Sequence, residues 1–206
     1  MKGVLDTKGV LLALIFGAIL FFYGGPDYLF LMLVFFALAV AVTKYEYGIK
    51  RDMGLYEHER GWENVLSNGL LPSILAFLSP LTGPMPFIAS IAAVMADKFG
   101  SEVGVLDAED PINLFDLKAT KPGTSGAMSK IGTIGSFAGA GAIGFASIFL
   151  FGLDPTQALL VGFAGLAGSI VDTMFGVFEE KGFGTKGTTN FVCSLTGALI
   201  GYYLIV

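Results

Sequence analysis

One polar stretch organises the chain: residues 96–126 read ADKFGSEVGVLDAEDPINLFDLKATKPGTSG, between two hydrophobic segments. Asp97 and Glu102 open this stretch while still attached to an apolar run, and Lys121 and the glycine-rich turn 122–126 close it. Carboxylates can hold a divalent cation, and a lysine followed by a glycine-rich turn suits phosphate groups. The stretch therefore indicates a site for a cation and a phosphate-bearing ligand.

Composition places the chain in a membrane. Of 206 residues, 54% are hydrophobic and only 14% are charged, and several apolar runs approach the roughly 20 residues that cross a hydrocarbon core. Solid apolar blocks of this kind differ from the short alternating segments of a closed barrel. We expect an all-α, polytopic transmembrane helical bundle that forms a single domain over residues 1–206. The chain has no basic patch that would indicate nucleic-acid binding.

Seven spans are predicted, and turns or polar loops separate them. They cover residues 9–23, 28–43, 62–80, 87–106, 131–151, 155–178 and 188 to the C-terminus. Three longer loops are expected at about 44–61, 107–130 and 179–187. All twelve lysines and arginines lie before the first span, within these three loops or near the loop end of a span, so all of them fall on one side of the predicted bundle. Under the positive-inside rule, a multi-pass protein of the cell membrane is expected, with its N-terminus and its active site cytoplasmic.

Small residues mark one helical face on each of two spans. They are Gly132, Gly135 and Gly139 in span five, and Gly162, Gly165, Ser169 and Gly176 in span six. Steps of three and four residues put them on one face, where they let membrane helices pack closely. Plain packing explains the glycines but not Asp172, which lies on the same face of span six.

Two parts of the chain share a weak internal similarity. Asp97 precedes a loop that ends in the letters KPGTS (residues 121–125), and Asp172 precedes a shorter loop that ends in KGTTN (residues 186–190). Both hairpins run in the same direction across the predicted bundle, so the pattern indicates a parallel internal repeat.

Three acids at membrane depth are candidate functional residues: Asp97, Glu102 and Asp172. A carboxylate there costs roughly 2.5–3.5 kcal/mol on insertion scales, and it usually marks a functional site. Glu102 is turned about 140° away from Asp97 on a regular helix. The alternative is interhelical salt bridging of these acids with Lys98, Lys121 or Lys186.

Small and amide residues accompany these acids. Ser101 lies one turn from Asp97, and Gly100 and Gly104 complete that face, which predicts room for the close approach of a ligand. Three asparagines, Asn64, Asn68 and Asn190, begin the third and seventh spans, where they either join helices or bind a ligand.

Four motifs, in this order, resemble those of the plant phytyl-phosphate kinase and animal transmembrane-protein-19 family. They are RGWENVLSNG at residues 60–69, AD at 96–97 with SEVG at 101–104, KPGTSG at 121–126, and GSIVD at 168–172. The family's usual Asp-Thr pair in the fourth span is Asp97-Lys98 here. More distantly, Asp97, Gly100, Gly104 and the Lys121 turn are similar to the nucleotide motif of dolichol kinases and related CTP-using membrane enzymes.

The resemblance implies a membrane kinase that transfers a phosphoryl group from CTP, or another nucleotide, to an isoprenyl monophosphate. Asp97, Lys121 and Asp172 would be catalytic, and Asp97, Glu102 and Asp172 would bind Mg²⁺. The nucleotide and its phosphates would be bound by Gly100, Ser101, Gly104, Gly123, Thr124, Ser125, Gly126 and Asn190. Asn64 and Asn68 would contact the substrate or serve a structural role. A homo-oligomer is left open.

Two alternatives remain. One is a sibling enzyme, either a CTP-dependent lipid-alcohol kinase or a cytidylyltransferase. The other belongs to a different class, an ion-coupled transporter or a lipid flippase. Transporter sites tend towards the membrane midplane, whereas the acids, lysines and glycine turns of this chain gather towards one side, which favours an interfacial enzyme.

Overall fold

Eight α-helices make up most of the protein in a computed structural model that describes residues 5–55 and 61–204. Lys2 and Arg60, which entered the predictions above, lie outside the described residues. The helices are α1 (Thr7–Ile19, continued by a π-helical turn, Leu20–Gly24), α2 (Pro26–Lys44), α3 (Tyr47–Asp52), α4 (Trp62–Thr82), α5 (Met85–Gly104), α6 (Lys130–Phe151), α7 (Pro155–Glu180) and α8 (Lys186–Leu204).

Seven of these described helices are long, and they occupy the seven predicted spans. Five of them, all except α5 and α8, are long and apolar enough to cross a membrane. Helices α5 and α8 are less apolar because α5 carries Asp97, Lys98 and Glu102 and because α8 begins with the polar residues 186–190. The predicted all-α membrane bundle is confirmed, and both of its less apolar long helices, α5 and α8, carry candidate site residues.

Local sequence explains why the connection between α6 and α7 is so short. Gly152 ends α6 with a positive φ of 69°, which favours glycine. Asp154 then caps α7 by accepting hydrogen bonds from the N–H groups of Thr156 and Gln157, at 2.7 and 2.9 Å, while Gln157 accepts one from the Asp154 N–H. This capping box lets α7 pack directly beside α6.

Helix α5 is the centre of the bundle. Every residue from 85 to 96 is buried, and α5 packs against α2, α4, α6, α7 and α8. Small residues make the closest of these contacts: a Cβ on Gly139 of α6 would lie 2.9 Å from the Met95 carbonyl oxygen, and one on Gly201 of α8 would lie 2.6 Å from the Met85 carbonyl oxygen. The small face of α6 therefore packs against α5, as the spacing predicted, and Gly201 of α8 makes a similar contact that was not predicted from spacing.

The loop between α5 and α6 contains a feature that the sequence did not predict, a small β-hairpin. Strand β1 (Ile112–Asn113) pairs antiparallel with β2 (Ala127–Met128), and Ile112 lies opposite Met128. At the base of the loop, Asp107 accepts hydrogen bonds from the N–H groups of Ile131 and Glu109, which hold the pKa of Asp107 below its ordinary value. The hairpin thus returns the glycine-rich turn to the ends of the helices.

Candidate functional site

The register between α5 and α7 brings two of the predicted acids together. A Cβ on Gly168 would lie 2.6 Å from the Cβ of Ala93, so α7 and α5 are in close contact at this level. Since α5 and α7 are separated by one antiparallel helix, they run in the same direction. One turn further along each helix from Ala93 and Gly168 come Asp97 and Asp172. Small residues at the contact therefore set the approach of the two carboxylates.

Lys186 joins the two carboxylates. Its Nζ lies 3.1 Å from Asp172 Oδ2 and 3.7 Å from Asp97 Oδ2. The Asp172 side chain is only 4% exposed, and its Oδ1 is buried with no hydrogen-bond partner among the described residues. Two acids and one cation, with an unsatisfied carboxylate oxygen, thus lie together where α5, α7 and α8 meet.

Lys186 was not among the site residues predicted from the sequence. It entered the sequence-based predictions only as an alternative salt-bridge partner. The signal that could have identified it is the similarity between KPGTS at 121–125 and KGTTN at 186–190. In the structure, the second of these segments contributes its lysine to the acid pair from the first residue of α8.

A cavity of about 590 Å³ opens over the acid pair. This volume falls within the range of small-molecule sites. The lining includes the predicted site residues Asn64, Asn68, Asp97, Gly100, Ser101, Glu102, Gly104, Gly123, Thr124, Ser125, Gly126, Asp172 and Asn190, together with Lys186. The structure thus gathers residues from α4, α5, α7, α8 and the glycine-rich turn around one space.

Gly100 and Gly104 line this cavity, but the space left by their lack of a side chain is filled by a neighbouring helix, α6. A Cβ on Gly100 would collide with Ser136 Oγ and lie 3.3 Å from the Gly132 carbonyl oxygen, and one on Gly104 would lie 3.2 Å from the Gly132 Cα. The room that the sequence predicted for a ligand at these glycines is therefore occupied by α6. Ser101, on the same helix, is exposed and donates a hydrogen bond to the Lys98 carbonyl oxygen.

Glu102 belongs to an ion cluster of its own beside the acid pair. Its Oε1 accepts a hydrogen bond from Thr43 Oγ1 at 2.8 Å and lies 2.6 Å from Lys98 Nζ. Its Oε2 lies 2.8 Å from Lys50 Nζ. Both oxygens are thus engaged within the protein, and the two lysines beside them compete with any metal ion for this carboxylate.

The glycine-rich turn lies over α7. Gly123 and Gly126 have positive φ angles of 83° and 80°. A Cβ on Gly126 would lie 3.0 Å from the Val177 backbone nitrogen, so only a glycine lets the turn approach the helix this closely. The Ser125 N–H donates a hydrogen bond to Glu180 Oε1 at 3.0 Å. A carboxylate oxygen thus already accepts a hydrogen bond from this turn.

The structure does not bring Lys121 to the acid pair. Lys121 lies with Asp110, Thr124 and Glu180 around a separate, more open surface depression, and it is not part of the lining of the cavity over the acid pair. The cation that contacts Asp97 and Asp172 is Lys186.

The three predicted asparagines form a hydrogen-bonded chain along one wall of the cavity. Asn190 Nδ2 donates to Asn68 Oδ1 at 3.1 Å, and Asn68 Nδ2 donates to Asn64 Oδ1 at 3.0 Å. This chain joins α8 to α4. Asn190 Oδ1 is buried and has no hydrogen-bond partner among the described residues, so the asparagines both connect helices and leave one acceptor at the cavity wall.

Comparisons with known proteins agree with this membrane architecture. The model of the integral membrane protein family DUF92 matches residues 1–197. The chain is 36% identical over 205 residues to an uncharacterized membrane protein of Methanocaldococcus jannaschii. This match covers 96% of this chain and 84% of the relative. It is also similar to two proteins of Arabidopsis thaliana. Protein PGR is 27% identical, and the match covers 87% of this chain and 71% of PGR. The chloroplastic protein VTE6 is 23% identical, and the match covers 96% of this chain and 63% of VTE6.

No solved structure matches the chain. The sequence matches confirm the family that the four motifs indicated. The chain is a multi-pass integral membrane protein, and it belongs to the DUF92 family.

Proposed function

We propose that the protein is a membrane kinase that transfers a phosphoryl group from CTP, or another nucleotide, to an isoprenyl monophosphate, giving the diphosphate. The observation that carries this proposal is the grouping of Asp97, Asp172 and Lys186 beneath a cavity that the glycine-rich turn also lines. Phosphoryl transfer depends on positioning and on neutralising charge more than on covalent chemistry with the protein. These residues provide both.

Mg²⁺ is the cofactor that fits these residues. Within residues 5–55 and 61–204, no cluster of three or more His, Cys, Asp or Glu side chains could hold a metal ion by itself. Mg²⁺ commonly takes only one or two carboxylates and completes its coordination with substrate phosphates and water. Asp97 and Asp172 supply two carboxylates, and the buried Asp172 Oδ1 has no other partner among the described residues. Bound with the nucleotide, Mg²⁺ would neutralise negative charge on the phosphates.

The protein's own groups divide the remaining work. The Lys186 ammonium, held by both acids, stands where it can bind a phosphate oxygen. Backbone N–H groups of the turn 122–126 can bind further phosphate oxygens, as the contact between Ser125 N–H and Glu180 illustrates. The acceptor phosphate is already anionic, so the transfer requires no strong general base.

The acceptor lipid enters this scheme from the apolar side of the cavity. Phe35 and Ala39 of α2 and Val94 of α5 contribute apolar lining. We propose that the lipid chain lies against these helices, with its phosphate near Lys186. The nucleotide would come from the cytoplasmic side, on which the positive-inside rule places the loops.

The products of the reaction test the proposal. Purified protein with Mg²⁺, CTP and a prenyl monophosphate is expected to yield a prenyl diphosphate and CDP, measured by mass spectrometry and nucleotide chromatography. A cytidylyltransferase would release pyrophosphate and leave a cytidine nucleotide on the lipid, and a lipid-alcohol kinase would act on the free prenol. A transporter or flippase would form none of these products with CTP, ATP, GTP or UTP, and that result would overturn the proposal.

A further inference from the structure

The most deeply buried cation among the described residues lies outside the acid pair. Lys50 of α3 is only 1% exposed. Its ammonium has three protons and donates to three oxygens: the carbonyl oxygens of Val42 and Thr43, at 3.1 and 2.8 Å, and Glu102 Oε2, at 2.8 Å. Val42 and Thr43 lie in the last turn of α2, where carbonyl groups lack the i+4 partner of a helix interior, and the Val42 carbonyl also accepts a hydrogen bond from the Tyr45 N–H at 3.2 Å. Lys50 therefore fastens α3 to the end of α2 and to α5.

The backbone of Lys50 fixes the residues that follow α3. The Leu55 N–H donates to the Lys50 carbonyl oxygen at 2.9 Å, and the Gly54 N–H donates to the Arg51 carbonyl oxygen at 3.0 Å. Gly54 has a φ of 73°. These are the two hydrogen bonds and the left-handed glycine of a Schellman motif. The position of Leu55 is thus set from Lys50 by a defined cap rather than by a loose loop.

Leu55 in turn packs against the glycine-rich turn. A Cβ on Gly123 would lie 2.7 Å from Leu55 Cδ2 and 3.3 Å from Leu55 Cδ1, so Leu55 occupies the space beside the bare face of this glycine. Leu55 and Gly123 both line the cavity over the acid pair. On its other flank, the turn contacts Val177 of α7 through Gly126. The turn is therefore held between α7 and the residue that follows α3.

We propose that Lys50 is a positioning residue that sets the height of the turn 122–126 over the acid pair, acting through Leu55. The ammonium holds α3 against α2 and α5, the cap transmits that position to Leu55, and Leu55 supports Gly123. On this assignment Glu102 anchors the support and is not required as a metal ligand. The placement of the turn follows from packing alone, whereas its consequence for turnover rests on the proposed kinase function.

The first experiment measures the turn directly. Ser125→Cys places a thiol on the turn, and the native cysteine, Cys193, is buried. In detergent-solubilised protein, Leu55→Ala is expected to raise the rate of Ser125→Cys labelling by a soluble maleimide about tenfold, because a half-buried support is lost. Leu55→Met, which conserves volume, should restore slow labelling. Leu117→Ala in the same loop is the matched control, since Leu117 is 75% exposed. An unchanged labelling rate in Leu55→Ala would overturn the proposal.

The second experiment tests the role of Lys50. Lys50→Met alone leaves the buried Glu102 carboxylate with Lys98 as its one lysine partner among the described residues and risks misfolding, so it is combined with Glu102→Gln, which removes the buried negative charge. In the Ser125→Cys background, this double variant should be labelled by the maleimide as fast as the Leu55→Ala variant is. Adding Leu55→Ala to the double variant should cause little further increase in the labelling rate. Slow labelling in a folded double variant would show that the position of the turn does not depend on Lys50.

Kinetics separate positioning from general damage. Leu55→Ala should raise the KM for the nucleotide by about tenfold with a smaller change in kcat, because a displaced turn weakens phosphate binding in the ground state. A fall in kcat alone, with KM unchanged, would contradict this. Absence of all phosphoryl transfer in the unmodified protein would refute the proposed function. The labelling rates would still show whether Lys50 and Leu55 hold the turn in place.

Discussion

Gly168→Ala tests whether helix contacts set the distance between the two acids. The added Cβ would lie 2.6 Å from the Ala93 Cβ and 2.9 Å from the Cys193 carbonyl oxygen, where ordinary contacts begin at 3.4 Å. Helix α7 must then move by roughly 0.5–0.8 Å, at a cost of about 1–3 kcal/mol for overpacking. Asp172 lies one turn away from Gly168 and moves with it. Because a misplacement of about 1 Å can cost about 10²-fold in rate, we expect turnover to fall by about ten- to a hundredfold.

The assay for Gly168→Ala is the rate of prenyl diphosphate formation at saturating nucleotide, alongside thermal unfolding of the purified protein. Gly141→Ala is the matched control, since a Cβ there meets nothing within 4 Å, and it should leave turnover unchanged. Adding Ala93→Gly to Gly168→Ala removes one of the two clashes and should restore part of the activity. Turnover of a folded Gly168→Ala protein at the level of Gly141→Ala would refute the claim that this contact positions Asp172.

Three further predictions concern charge and topology. Lys186→Met should lower turnover by at least about 10²-fold, because it removes the cation that contacts both acids; Lys121→Met, measured beside it, tests the lysine that the sequence favoured, and a smaller loss there would assign the main role to Lys186. Asp97→Asn and Asp172→Asn should each abolish Mg²⁺-dependent turnover, and the double variant should be little worse than either one; additive, mild losses would indicate structural roles. A cysteine at Glu109 should resist an impermeant thiol reagent in intact cells, and its labelling from outside would invert the proposed orientation.

Sequence was sufficient to predict the seven long helices and to single out the two acids that meet, but not the short helix α3, which lies in a predicted loop. Apolar length predicted the long helices, and the cost of a carboxylate at membrane depth singled out Asp97, Asp172 and also Glu102, which lies in a separate cluster with Lys50 and Lys98. Small residues at steps of three and four predicted the close packing of α6 and α7. Each of these inferences uses information that lies within one helix, where spacing along the chain determines which residues share a face.

Residues whose role depends on a second element could not be assigned in this way. Spacing showed that Gly100 lies on the face of Asp97, but only the fold shows that α6 fills the space beside it. Lys50 read as one of several charges in a polar loop, yet the end of α2 and Glu102 bury it. Likewise, Lys121 and Lys186 sit in similar motifs. Lys186 begins a helix that packs on α5, whereas Lys121 lies in a loop whose course depends on an unpredicted hairpin.

The packing of α5 bears on the choice between an enzyme and a transporter. Alternating access past Asp97 would require α5 to separate from its neighbours, yet every residue from 85 to 96 is buried. Backbone-level contacts join it to Gly139 of α6, Gly165 of α7 and Gly201 of α8, and such close-packed interiors do not deform continuously. The acid pair and Lys186 lie at the end of this packed core, beside the turn and the loops. That arrangement suits a reaction whose two substrates meet at one face of the membrane, since neither substrate then has to pass through the helices.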